Sequence, residues 1–139
     1  MGKIIGIAFI SIIVVLGALY LFNSKSNTTF NDFVLDTGEI TSIEIIKTST
    51  DKEIVIENGN DVKGILEHFY EAELKENEMG SIDFNESYWM TLKSNGARKL
   101  GMTVYDEKYL LIFDYNQNKQ TSYQIISDFN AYNIEKYFN

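Results

Sequence analysis

The 139-residue chain has no cysteine and no proline, and a single arginine, histidine and tryptophan (Arg98, His68 and Trp89). Without cysteine there is no disulfide framework, no thiolate nucleophile, no thiolate metal site and no lipid-bearing cysteine of the bacterial lipoprotein type. One histidine must serve every serine in the chain, and no Gly-x-Ser-x-Gly elbow occurs, so a serine or cysteine hydrolase is not expected. The glycines at 59, 64, 80, 96 and 101 are scattered rather than grouped before a helix, which excludes a glycine-rich phosphate loop. Asn58-Gly59-Asn60-Asp61 lacks the alternating acids and closing glutamate of a calcium loop.

What is present begins with Met1-Gly2-Lys3 and an apolar run from Ile4 to Phe22, followed by Asn23-Ser24-Lys25-Ser26. At about 1.5 Å per residue in a helix the run covers about 28 Å, close to the hydrocarbon thickness of a bilayer. It shows no polar face, as a surface helix would. The expectation is an N-terminal transmembrane anchor over residues 1–26, with membrane contact through residues 4–22. Lys3 precedes the span, and beyond Lys25 the next basic residue is Lys47, so the C-terminal part is expected outside a cell membrane crossed once. Ser24 and Ser26 also offer small residues for a cut after Ser26, which would release the domain.

The net charge of −8 is unevenly placed. Between Glu53 and Glu86 ten acids face only Lys63 and Lys75. An acidic domain is a poor nucleic-acid binder, because binding requires cations that displace phosphate counterions. The hydrophobic fraction of 45% and the aromatic fraction of 14% suffice for a core, so one folded domain is expected over 39–139, preceded by a tether over 27–38 with a short docking segment.

Ile40 to Thr48 is rich in β-branched residues and Glu53 to Glu57 alternates, with Ser49 to Lys52 as the turn between them. Asn60-Asp61 begins a helix in which Val62, Ile65, Leu66, Phe69 and Leu74 recur, drawn from Asp61 to about Lys75. Glu76 to Glu86 lacks a period and reads as a loop. Four strand-like runs follow, at 88–93, 99–105, 109–115 and 121–126, and Asn95-Gly96 is a strong hairpin signal. Ser127 or Asp128 would cap a short final helix carrying Phe129, Tyr132 and Phe138. The expected fold is α+β: a transmembrane helix, then β-β-α-β-β-β-β-α with a mainly antiparallel sheet packed on helices.

For function, the alternation Tyr88, Met90, Leu92 against Trp89, Thr91, Lys93 puts the tryptophan on the more polar face of its strand. Tyr105 and Tyr109 flank the next turn, and Tyr115 and Tyr123 the one after. Trp89, Tyr105 and Tyr109 are therefore candidate binding residues on a solvent-facing aromatic patch, unless they only stabilise the sheet by cross-strand pairing. Glu67, Glu71, Asp83 and Glu86 form a candidate acidic patch. Glu67 and Glu71 stand four residues apart beside His68, but the pattern is no known zinc signature, and neither metal nor cofactor is expected. Asp83 and Glu86 lie near Phe84, Tyr88 and Trp89, a mixture also found in sugar sites.

The lysine-led membrane segment, the strand Ile-Thr-Ser-Ile-Glu-Ile-Ile, the helix after Asn60-Asp61 and the meander ending in a short aromatic helix resemble small exported domains of low-GC Gram-positive bacteria. The departure is the missing lipid-bearing cysteine. The leading expectation is a membrane-anchored, non-enzymatic extracytoplasmic domain that binds a protein or peptide as an accessory, immunity-like or regulatory factor. The alternatives are a small cell-envelope hydrolase using loop carboxylates, and a divalent-cation sensor.

Overall fold

Strand alternation, turn residues and one amphipathic helix generate most of the architecture. The structure is a computed structural model that describes residues 27–34 and 39–139. The apolar run of residues 4–22, and with it the expected anchor, lies outside the described residues. Among those described, no helix is long and apolar enough to cross a membrane.

Ten strands and helices follow the first pairing at β1, Thr28–Thr29: α1 (Asn31–Val34), β2 (Ser42–Lys47), β3 (Lys52–Ile56), α2 (Gly59–Tyr70), β4 (Glu73–Glu76), β5 (Ser87–Ser94), β6 (Ala97–Tyr105), β7 (Tyr109–Asp114), β8 (Lys119–Ile125) and α3 (Tyr132–Glu135). The strands form one sheet in the order β1-β4-β8-β7-β6-β5-β2-β3. Every neighbouring pair in it is antiparallel. The fold is α+β with few helices, as the patterning predicts.

The meander β5 to β8 is built by its turns. Asn95 and Gly96 adopt φ of 49° and 81°, the left-handed pair that matches strand twist in a two-residue hairpin. Between β6 and β7, Asp106 and Glu107 are also left-handed, and the Asp106 carboxylate accepts the backbone N–H of Asn85 and of Glu86, each at 2.8 Å. These two bonds fix the end of the 77–86 loop and deliver the chain into β5. There, Ile43 and Ile45 of β2 lie beside Leu92 and Met90, and all four are buried.

The helix differs from expectation at its C-terminal end. Asn58 caps α2, its Oδ1 accepting the N–H groups of Asn60 (2.9 Å) and Asp61 (3.3 Å), and Val62, Ile65, Leu66 and Phe69 are buried. It stops at Tyr70 rather than Lys75, and Glu73–Glu76 forms the extra strand β4 between β1 and β8. Leu74 falls five residues after Phe69, about 140° away around a helix, so one helix could not bury both. As a strand residue paired with Ile125, Leu74 is fully buried. The observed order beyond residue 39 is thus β-β-α-β-β-β-β-β-α, one strand more than expected.

Part of the expected tether, residues 28–29, joins the sheet. Thr28 and Thr29 pair with Leu74 and Glu73. The Asp32 carboxylate accepts the N–H of Thr29 and the hydroxyl of Thr28, each at 2.9 Å. Phe30 has no solvent exposure, and its ring centroid lies 5.4 Å from that of Phe69.

The C-terminal segment also departs in detail. Neither Ser127 nor Asp128 caps α3; its N-cap is Ala131, with no side-chain bond. Ser127 Oγ instead accepts the backbone N–H of Glu73 at 3.0 Å, a long-range bond that holds the segment against β4. Phe129, Ile134 and Phe138 are buried, with Phe129 5.0 Å from Phe69 and Phe138 6.0 Å from Tyr88. Phe30, α2 and residues 129–138 therefore cover the same face of the sheet in one core.

Candidate functional site: the open face of the sheet

The other face is left open. Strand register places Glu53, Ile46, Trp89, Thr103, Leu111 and Ser122 side by side across six strands, with Val55, Glu44, Thr91, Gly101, Phe113 and Gln120 in the next row. Trp89 is 60% exposed and Val55 54%, whereas Ile46, Leu111 and Phe113 are half-buried. Beyond β7, Tyr115 continues the same face at 39% exposure and meets Phe113 edge-on at 4.9 Å.

A shallow trough of about 430 Å³ runs through this face, lined among others by Trp89, Arg98, Gly101, Phe113 and Tyr115. Gly101 makes the trough because it contributes no side chain to the centre of a row. A Cβ there would stand 3.5 Å from the Tyr115 ring. Arg98 enters at the β-bulge after Leu92, directly across from Lys93. The Lys93 ammonium bonds the Glu44 carboxylate.

All three expected aromatic residues fall on this face. Tyr105 pairs with Tyr109 across the start of the β6–β7 hairpin, two residues beyond Thr103, and both are half-buried. The Tyr105 ring meets the exposed Phe84 edge-on at 4.9 Å. Tyr123 belongs to the core instead. Sequence reasoning missed Ile46, Leu111 and Phe113, although the run Tyr109 to Phe113 is apolar at every position. A strand apolar on both sides signals a sheet that is covered on both sides. Among the described residues, Phe84 of the 77–86 loop reaches Tyr105 at one end of the second side, while Val55, Trp89 and Tyr115 stay exposed.

The acidic candidates are dispersed. Glu67 lies on the exposed side of α2, 3.6 Å from Lys63, and Glu71 caps the end of that helix in water. Asp83 is exposed in the 77–86 loop. Glu86 is turned inward: its carboxylate accepts from the Ser49 hydroxyl, the Ser49 N–H (3.2 Å) and the Ser87 N–H (2.9 Å), and lies 3.7 Å from Lys47. Desolvation is the largest single influence on Glu86 and pushes its pKa up, yet these hydrogen bonds together hold it below the usual carboxylate range. A carboxylate so committed is poorly suited to be a proton donor for glycoside hydrolysis.

Lys47 joins Glu86 to α3, standing 2.7 Å from Glu135, which also accepts the Tyr88 hydroxyl. The hydrogen bond to Glu135 raises Lys47, the one from Lys47 lowers Glu135, and burial followed by Glu135 raises Tyr88. The cluster fastens the C-terminal segment to the sheet. His68 does the same from α2: its Nε2 lies 2.8 Å from the Asn130 carbonyl oxygen, and its ring centroid 4.8 Å from that of Phe129. Among the described residues, no group of three His, Cys, Asp or Glu side chains could hold a metal ion.

Comparisons with protein-family models, with curated proteins and with solved structures gave no match. The site must be read from its own geometry.

Proposed function

We propose that this chain is a membrane-anchored, non-enzymatic domain that binds a protein partner through the open face of its sheet. The anchor is the apolar run of residues 4–22, and the domain stands outside the cell membrane as an exported accessory or regulatory factor. One observation carries the binding reading: a face centred on a 60% exposed tryptophan, with Ile46, Leu111, Phe113 and Tyr115 in adjoining positions. Contiguous aromatic and aliphatic exposure of this kind marks interaction surfaces, whereas singly scattered apolar residues do not. The exposed acids Glu67, Glu71 and Asp83, on α2, at its end and in the 77–86 loop, support solubility.

The test places a photo-reactive amino acid at position 89 of the full chain in cells, with a second at position 71 on the acidic side. The expected result is a discrete protein adduct from position 89 that disappears in a Leu111→Glu background while the melting temperature is kept. No adduct at 89, or the same adducts from both positions, refutes the proposal.

A further inference from the structure

We infer that the partner on the open face is a second copy of this chain, the two sheets packing face to face about a two-fold axis that runs along β5. This rests on the reading of that face as a protein-binding surface and adds the identity of what binds.

The register carries the argument. β5 is the middle of the five strands that make the apolar face, with β2 and β3 on one side and β6 and β7 on the other. Rotation about an axis along β5 sets β2 against the partner's β6 and β3 against its β7. Residues level with one another in a row stay level. Val55 then meets Phe113, which covers the most exposed aliphatic side chain of the face. Glu44 stands opposite Gly101, so a side chain enters the trough where the row has none. Trp89 and Thr91 lie on the axis and face their own counterparts, as residues on the axis of an isologous interface must.

Charge supplies a second, independent fit. Lys93 and Arg98 are direct cross-strand neighbours of like charge, an arrangement that destabilises a sheet unless it is compensated. Glu44 compensates Lys93 within the chain. Among the described residues Arg98 has no ion-pair partner, and it lines the trough that the second copy's Glu44 would enter. The central face is also balanced, Glu44 and Glu53 against Lys93 and Arg98, although the whole chain carries −8. On the axis Lys93 meets its own counterpart, each ammonium held by the Glu44 of its own chain, so two copies meet less repulsion here than their acidic sides would impose, whereas a basic partner would be drawn to those sides instead.

Five strands about 4.8 Å apart and about 20 Å long give about 500 Å² of flat face per copy, an area in the class of weak, transient interfaces. Anchoring both chains in one membrane raises their effective concentration and compensates for a modest area.

The absence of cysteine makes the test direct. The full chain carrying Thr91→Cys is treated in its native membrane with a short bis-maleimide, which spans the about 10 Å between facing sheets that a disulfide cannot, beside a Ser122→Cys chain, whose residue on β8 has no opposing strand in the proposed pair. The expected result is a thioether-crosslinked product of twice the chain mass from Thr91→Cys and little from Ser122→Cys. Adding Arg98→Glu should lower that yield about fivefold, the effect of losing two symmetry-related surface pairs, and Glu44→Arg in the same chain should restore it. Equal yields from the two cysteine positions mean random collision and overturn the inference. A monomeric Thr91→Cys chain, together with photo-capture of a different protein from position 89, overturns self-pairing and leaves the binding reading standing. A monomer with no photo-adduct overturns both.

Discussion

Phe30 decides whether residues 28–34 belong to the folded unit. Its side chain is fully buried, with ring centroids of Phe69 and Tyr70 at 5.4 and 6.0 Å. Phe30→Ala removes the ring and leaves a cavity between α2 and the β1–β4 edge. Fully buried phenylalanines cost about 3–5 kcal/mol on truncation, the transfer term plus the cavity term. For a domain of about 100 residues, each kcal/mol moves the melting temperature by about 4 °C, so a fall of about 12–20 °C is expected. The assay is thermal unfolding of the full chain in mild detergent followed by near-ultraviolet circular dichroism, with Tyr132→Ala as control because Tyr132 is 65% exposed. The control should move by no more than about 0.5 kcal/mol. A Phe30→Ala shift as small as that of the control would refute the docking of residues 28–34 and return the segment to a tether.

Two glycines should respond in opposite directions. Gly96 has φ +81°, so Gly96→Val forces a β-branched residue into the left-handed region and should cost about 1–2 kcal/mol; Gly64 lies inside α2 with open space around it, so Gly64→Ala should stabilise by about 1 kcal/mol in urea unfolding. Equal signs for the two would contradict the backbone geometry. Stability should also fall in acid. The Asp106 carboxyl is held low by the N–H groups of Asn85 and Glu86, that of Glu135 by Lys47 and Tyr88, and that of Asp32 by Thr29. A carboxyl whose pKa is depressed in the folded state contributes stability above its ordinary value, and that contribution is lost as pH falls through the folded value. A melting temperature that is level from about pH 7 to 5 and falls below about pH 4 is expected; one that rises toward pH 3 would refute the assignment. At the alkaline end, burial raises the Tyr88 pKa, so stability should decline above about pH 10.

Local chemistry made much of this molecule legible in the sequence. The β-branched run of β2, the alternation in β3 and β5, the Asn95-Gly96 turn and the 3.6-residue stripe from Val62 to Phe69 each depend on residues near in the chain and appear where their patterns place them, whereas the helix begins at Gly59 under an Asn58 cap, two residues before its expected start at Asp61. Trp89, Tyr105 and Tyr109 were recognisable as candidates for the same reason, since strand parity alone puts Trp89 opposite Met90. What escaped were features whose partners are remote. Glu73–Glu76 has a helix-forming composition, but Leu74 gains full burial by pairing with Ile125, fifty-one positions away. Ser127 looks like a helix cap, but bonds to Glu73.

The sequence by itself determined the strands β2, β3 and β5 to β8, the body of α2, the α+β class and the parity that divides each strand into two sides, because these follow from steric and hydrophobic rules acting over a few residues. Only the tertiary structure decided the strand order, with β5 returning to β2 and β4 inserted beside β8. That order sends Phe30, α2 and the C-terminal segment to one side and leaves the aromatic side open. Which face stays uncovered depends on how long-range pairings distribute the covering elements, and no local pattern encodes that distribution.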